Sequence, residues 1–233
     1  MLTHLFASGG GGYCGPQGGP SRMLLEILRA TGKKYPKVCL IPTASGDRPE
    51  TIREFVEAFN SLGAHPNFLS LYRLPTRDLE AWVLDFDAIY ISGGNTKNLL
   101  ALWKAWNLET ILLNAWRQGV VLSGSSAGAI CWFEQCSSDF IPGEFNPLDG
   151  LGTLPGSCCP HFEPASVRRA SYLEMVQSGR LKPGFGVSDR ATLHYVDGAL
   201  AETLVEGDAA GVFRVEPGPA GTPSATRLPS RTV

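Results

Sequence analysis

Residues 119–134 read Gly-Val-Val-Leu-Ser-Gly-Ser-Ser-Ala-Gly-Ala-Ile-Cys-Trp-Phe-Glu, and this stretch restricts the fold more than any other. Val120 to Ser123 form a short apolar, β-branched run. Gly124 and Gly128 flank Ser126 in the spacing G-x-S-x-G, and Ala127 to Phe133 reads as a buried helix. Strand, tight turn and helix in that order make a nucleophile elbow. A serine held on so sharp a turn has crowded neighbours two residues away on either side, which is where glycine is favoured. The helix that follows points its unpaired N–H groups back at the serine, the first of them on Ala127, placed to stabilise an oxyanion. Glycine-serine turns before helices are common. The flanking strand and helix are what give this one its meaning.

The chain before the elbow alternates strand and helix patterns. Thr3–Ser8, Val38–Thr43, Asn67–Leu71 and Asp87–Ser92 are strand candidates. Between them lie an amphipathic helix over Ser21–Thr31, a second over Pro49–Leu62 and a short one over Arg77–Leu84. A helix from Lys97 to Trp103 and another over Glu109–Gln118 lead to the elbow. This alternation predicts an α/β fold, with a mostly parallel central sheet covered by helices on both faces. After the elbow, Ser137–Pro155 reads as loop excursions and Ala165–Gln177 as a helix. Gly184–Asp189, Thr192–Val196, Leu200–Val205 and Val212–Val215 read as a C-terminal antiparallel meander. Residues 1–215 are thus expected to form one α/β domain. The Pro/Gly/Ser/Thr-rich tail 216–233 is expected to be disordered.

A net charge of −2 without a long basic run gives no footprint for nucleic acid or an anionic membrane. The six cysteines form no C-x-x-C pair and read as reduced thiols. No secretory leader pattern is present at the N-terminus, so a cytoplasmic location is expected. The expected partner is a small molecule or short peptide, with a homodimer as the candidate assembly and no metal or cofactor.

Ligands of open parallel sheets bind at the carboxyl ends of strands, where Ser92-Gly93-Gly94-Asn95-Thr96 stands at one strand end and the elbow at another. Gly94 is then the natural second oxyanion donor. Gly10, Gly12 and Gly15 formally satisfy G-x-G-x-x-G, but no acidic residue follows at the distance a ribose contact needs, and the segment reads as a flexible loop. A serine nucleophile needs a base. Of the four histidines, His161 ends a strand-like piece after Pro160 and suits that role better than His4, His65 or His194. Asp189, ending the Gly-Val-Ser-Asp segment, is the best acceptor for the other ring nitrogen.

Together, Ile41-Pro42-Thr43-Ala44-Ser45-Gly46, Gly93-Gly94-Asn95-Thr96, Gly124-Ser125-Ser126-Ala127-Gly128-Ala129 and Pro160-His161-Phe162 resemble the peptidase E family of serine peptidases. The founding activity of that family is aspartyl dipeptidase, and its fold is similar to class I glutamine amidotransferases. The resemblance implies Ser126 as nucleophile, His161 as base, and the Gly94 and Ala127 N–H groups as the oxyanion hole. The family pattern carries a glutamate where this chain has Asp189, an acid with a shorter arm. Arg168 falls where the family's arginine binds the carboxylate of an N-terminal aspartate, although the segment from His161 to Arg168 is shorter here. The activity expected is hydrolysis of small peptides with N-terminal aspartate by a Ser-His-Asp triad. A cyanophycinase-like β-aspartyl peptidase, another amidase and a non-enzymatic amidotransferase-like binding module are the alternatives.

Overall fold

The computed structural model describes residues 2–233, apart from the side chain of Ala220. It begins with β1 (His4–Ser8), α1 (Arg22–Ala30), β2 (Lys37–Ile41), α2 (Pro49–Ser61) and β3 (His65–Phe68). The chain continues through α3 (Leu79–Leu84), β4 (Ala88–Ile91), α4 (Thr96–Trp106), α5 (Leu108–Arg117) and β5 (Val121–Ser125). Local chemistry sets the helix starts: Ser21 accepts the Met23 N–H, Asp78 that of Ala81 and Asn95 that of Asn98. The strands lie in the order β1-β5-β4-β2-β3, all parallel. Such an order brings the carboxyl ends of β1, β5 and β4 together.

Side chains alternate along these strands and divide the interior. Phe6, Val38, Leu40, Ala88, Tyr90 and Val121 pack on Leu24 and Ile27 of α1 and on Phe55 and Phe59 of α2. Leu5, Cys39, Ile41, Ile89, Ile91 and Leu122 face the other way, onto Leu99 and Trp103 of α4 and Leu112 of α5. The sheet is therefore covered on both faces. β3 is the edge strand, and it begins two residues earlier than its sequence suggests because His65 to Phe68 pair with Lys37 to Leu40.

Beyond β5 come α6 (Ala127–Ile130), β6 (Phe133–Ser138), β7 (Asn146–Asp149), β8 (Leu154–Cys159) and α7 (Val167–Gln177). β9 (Gly184–Val187), β10 (Ala191–Val196), β11 (Ala199–Val205), β12 (Val212–Glu216), β13 (Ser224–Arg227) and β14 (Arg231–Thr232) complete the chain. The helix expected over Ala127–Phe133 stops at Ile130. Trp132 and Phe133 are buried as a helix would require, but Phe133 already pairs with Leu154 in a second sheet. That six-stranded sheet runs β13-β12-β9-β8-β6-β7 and takes in short pieces of the Ser137–Pro155 stretch, the rest of which is loop.

The antiparallel C-terminal strands are shared between the two sheets. β10 pairs with β1 and β11, while β9 and β12 pair with each other in the second sheet. The tail is not the disordered segment its composition suggests. β13 pairs with β12 and β14 with β11, and Thr203 donates its hydroxyl to the Pro229 carbonyl. Arg231 bridges Glu26 and Glu202. Such pairing satisfies backbone groups that local composition says nothing about.

Candidate active site

The elbow owes its shape to the absence of three Cβ atoms. One on Gly124 would lie 2.2 Å from the Gly128 carbonyl oxygen, and one on Gly128 would lie 2.3 Å from that of Ile91. Gly93 approaches from β4, where a Cβ would stand 3.3 Å from that of Ser126. Ser126 itself is held at φ 53° and ψ −115°, a costly conformation for a residue with a side chain. The surroundings enforce it: the Ser126 N–H donates to the Ser8 carbonyl at the end of β1 at 2.9 Å, and its carbonyl accepts from Ala129 and Ile130.

His161 follows β8, also at positive φ, and its N–H donates to the Gly9 carbonyl. Its position is fixed by the next residue. Phe162 is fully buried against Tyr172 and Phe213, and it fills the space beside Gly186, where a Cβ would touch the ring. Asp189 lies just beyond β9 and donates its backbone N–H to the Glu163 carboxylate at 2.8 Å. Glu163 thus braces the loop that carries Asp189, and Ser166 caps α7.

Three separate elements in this way bring the expected residues into one line. Ser126 Oγ stands 2.9 Å from His161 Nε2, and His161 Nδ1 stands 2.5 Å from Asp189 Oδ1. With an ionised acid, Nδ1–H is the donor to Asp189, which leaves Nε2 free to accept from the serine hydroxyl. The bond from His161 is the main reason the Asp189 carboxyl lies below its usual range. Partial burial opposes this, while the charges of His161, Arg190 and Arg168 assist.

The glycine-rich segment after β1, read from the sequence as a flexible loop, is a close cover over this pair. A Cβ on Gly10 would stand 2.0 Å from Asp189 Oδ1 and 2.5 Å from His161 Cε1. Its neighbours are tied down, the Gly9 N–H to the Ala191 carbonyl and the Gly10 carbonyl to the Arg190 N–H. The sequence signal was present in the run of glycines at a strand end, but its target was not.

Gly94 has φ 139°, and a Cβ there would stand 2.0 Å from the Ala44 carbonyl. Among the described residues, the Gly94 and Ala127 N–H groups have no acceptor. Arg168 donates to Asp139 at 2.6 Å and lies over the Phe145 ring. It does not line the cleft of about 280 Å³ that opens at Ser126, whose walls include Gly10, Tyr13, Thr51, Glu54 and Gly94. Among the described residues no cluster of His, Cys, Asp and Glu is suited to hold a metal ion. Among the described residues, no helix is long and apolar enough to cross a membrane.

A mixed sheet whose central parallel strands end at a strained serine, within hydrogen-bond distance of a histidine that in turn reaches an aspartate, makes this an α/β protein with a built site at its strand ends. The chain belongs to peptidase family S51, whose model matches residues 5–203. It is 40% identical over 216 residues to the uncharacterized peptidase YgaJ of Bacillus subtilis (strain 168), covering 92% of each chain. In fold it is similar to a peptidase from an acI-B1 Actinobacterium, with a TM-score of 0.72 at 22% identity over 99% of this chain and 95% of that one. It is also similar to a putative peptidase E protein from Listeria monocytogenes EGD-e, with a TM-score of 0.63 at 18% identity over 87% and 97% of the two chains.

Proposed function

We propose that the protein is a serine exopeptidase acting on short peptides. The observation that carries this reading is the unbroken line from Ser126 through His161 to Asp189 at the mouth of a cleft. Ser126 Oγ attacks the scissile carbonyl as His161 Nε2 takes its proton. The resulting oxyanion is met by the Gly94 and Ala127 N–H groups. His161 then protonates the leaving amine, the C–N bond breaks, and an acyl-serine remains. Water, deprotonated by the same nitrogen, attacks that ester and restores the serine. Asp189 orients the imidazole and stabilises its protonated form without itself taking the proton.

The preference for an N-terminal aspartate rests on Arg168. A guanidinium can offer a carboxylate two parallel N–H bonds, and Arg168 now gives one to Asp139, whose place an acidic substrate would take. A fluorophosphonate probe tests the nucleophile: a covalent adduct on Ser126, absent in Ser126→Ala, is expected, and an unlabelled wild type counts against the reading. Hydrolysis of Asp-Leu but not Ala-Leu, with the discrimination lost in Arg168→Ala, tests the acidic preference. Equal cleavage of both peptides by the wild type removes Arg168 from substrate recognition.

A further inference from the structure

The walls of the cleft at Ser126 carry an unexplained negative charge. Glu54 and Thr51 stand one turn apart on α2, and both line the cleft that holds Ser126 and His161. Among the described residues, Glu54 makes no hydrogen bond or ion pair, although Arg53 beside it pairs with Glu57. Glu54 supplies the one carboxylate of that lining, and no lysine or arginine contributes to it. Tyr13 and Tyr90 line the same cleft. Tyr13 is only 8% exposed, packs at 5.4 Å from Tyr90 and 5.8 Å from Phe55, and has a hydroxyl with no hydrogen-bond partner among the described residues. Burial, with Tyr90 and the Glu54 charge adding to it, holds the Tyr13 hydroxyl well above its usual range, so it remains a neutral donor and acceptor.

A carboxylate beside an uncommitted hydroxyl, in a lining without basic side chains, is chemistry that recognises an ammonium group. In an exopeptidase that cuts after the first residue, the substrate's amino terminus lies next to the scissile carbonyl, within the same cleft. We infer that Glu54, with Thr51 and Tyr13 beside it, binds the free α-ammonium of the substrate peptide. This rests on the serine exopeptidase reading and explains why the end of a peptide, and not its interior, is accepted. It also gives the two charges of an N-terminal aspartate separate partners, the ammonium Glu54 and the side-chain carboxylate Arg168, once Asp139 is displaced.

The test compares Asp-Leu with N-acetyl-Asp-Leu, in wild type and in Glu54→Gln. The wild type is expected to favour the free peptide by about tenfold or more in kcat/KM, mainly through KM, and Glu54→Gln to collapse that ratio toward one. High salt should shrink the wild-type ratio, because Glu54 is solvent-exposed. A merely structural role for Glu54 lowers both substrates alike, and an unchanged ratio would overturn the inference. So would a dependence on Glu54 that appears only with N-acetyl-Lys-Leu, which would assign the carboxylate to a basic side chain. Calorimetric binding of the same peptides to Ser126→Ala needs no turnover, and so separates this inference from the catalytic reading. Binding weakened both by acetylation and by adding Glu54→Gln supports it even if the wild type cleaves nothing, and equal or absent binding of the free and blocked peptides overturns it.

Discussion

Replacing Gly10 with alanine changes one methyl group and should disable the site while sparing the fold. The added Cβ would stand 2.0 Å from Asp189 Oδ1, 2.5 Å from His161 Cε1 and 2.6 Å from His161 Nδ1, against an ordinary contact distance of 3.4 Å or more. The carboxylate must therefore retreat by about 1.4 Å, the shortfall between that approach and ordinary contact. A shift of this size breaks a bond that now spans 2.5 Å. Misplacing a reacting group by about 1 Å costs on the order of 10²-fold, and losing the orienting acid of such a triad about 10⁴-fold. A fall in kcat between these limits is expected for Gly10→Ala. Its backbone is not at positive φ, so alanine adds no left-handed strain, and the Asp189 and His161 side chains are 45% and 37% exposed and free to move. The melting temperature should therefore change by no more than a few degrees. The assay pairs peptide hydrolysis with the rate of fluorophosphonate labelling, and a thermal melt controls for folding. A folded Gly10→Ala protein that reacts at the wild-type rate would refute the claim that this loop presses on the Asp–His pair.

Three further outcomes follow from the same geometry. Gly128→Ala drives a Cβ to 2.3 Å from the Ile91 carbonyl, backbone against backbone, and should lower stability by about 3 kcal/mol or prevent folding; denaturant unfolding at wild-type stability would contradict this. His4 stacks on His194, which bonds Glu202; burial and then His194 hold the His4 pKa below 6.5, with Asp197 opposing. The unfolded chain thus binds more protons in the window below pH 6.5, so stability should fall as pH drops through it. His4→Phe should flatten that slope in urea titrations, and an unaltered slope would exclude this pair as its origin. Deleting residues 217–233 removes two strand pairings and the Arg231 bridges, so the melting temperature should drop, whereas an unchanged melt would mean the tail contributes nothing.

What was legible in the sequence was local chemistry. The glycines around Ser126 and the strand–helix alternation each act over a few residues, and each is found where its neighbours require it. His161 and Asp189 stand out because few residues of the right chemistry lie at strand ends. Long-range pairing was not legible. Trp132 and Phe133 suit a buried helix or a buried strand equally well, and only the partner at Leu154 decides between them. The tail's composition suggests disorder because proline and glycine report local freedom, while the bond from the Leu228 N–H to the Val212 carbonyl depends on a strand outside the tail. The contact of Gly10 with Asp189 and the place of Glu54 in the cleft likewise emerge only when separate elements meet.

The most direct test of the account is release of free leucine from Asp-Leu by the wild type, Ser126→Ala and His161→Ala, each verified as folded. Turnover by the wild type and a loss of at least about 10³-fold in both variants are expected, since a nucleophile and its base work as one unit. Turnover by Ser126→Ala at the wild-type rate would contradict this expectation and place the chemistry elsewhere in the molecule.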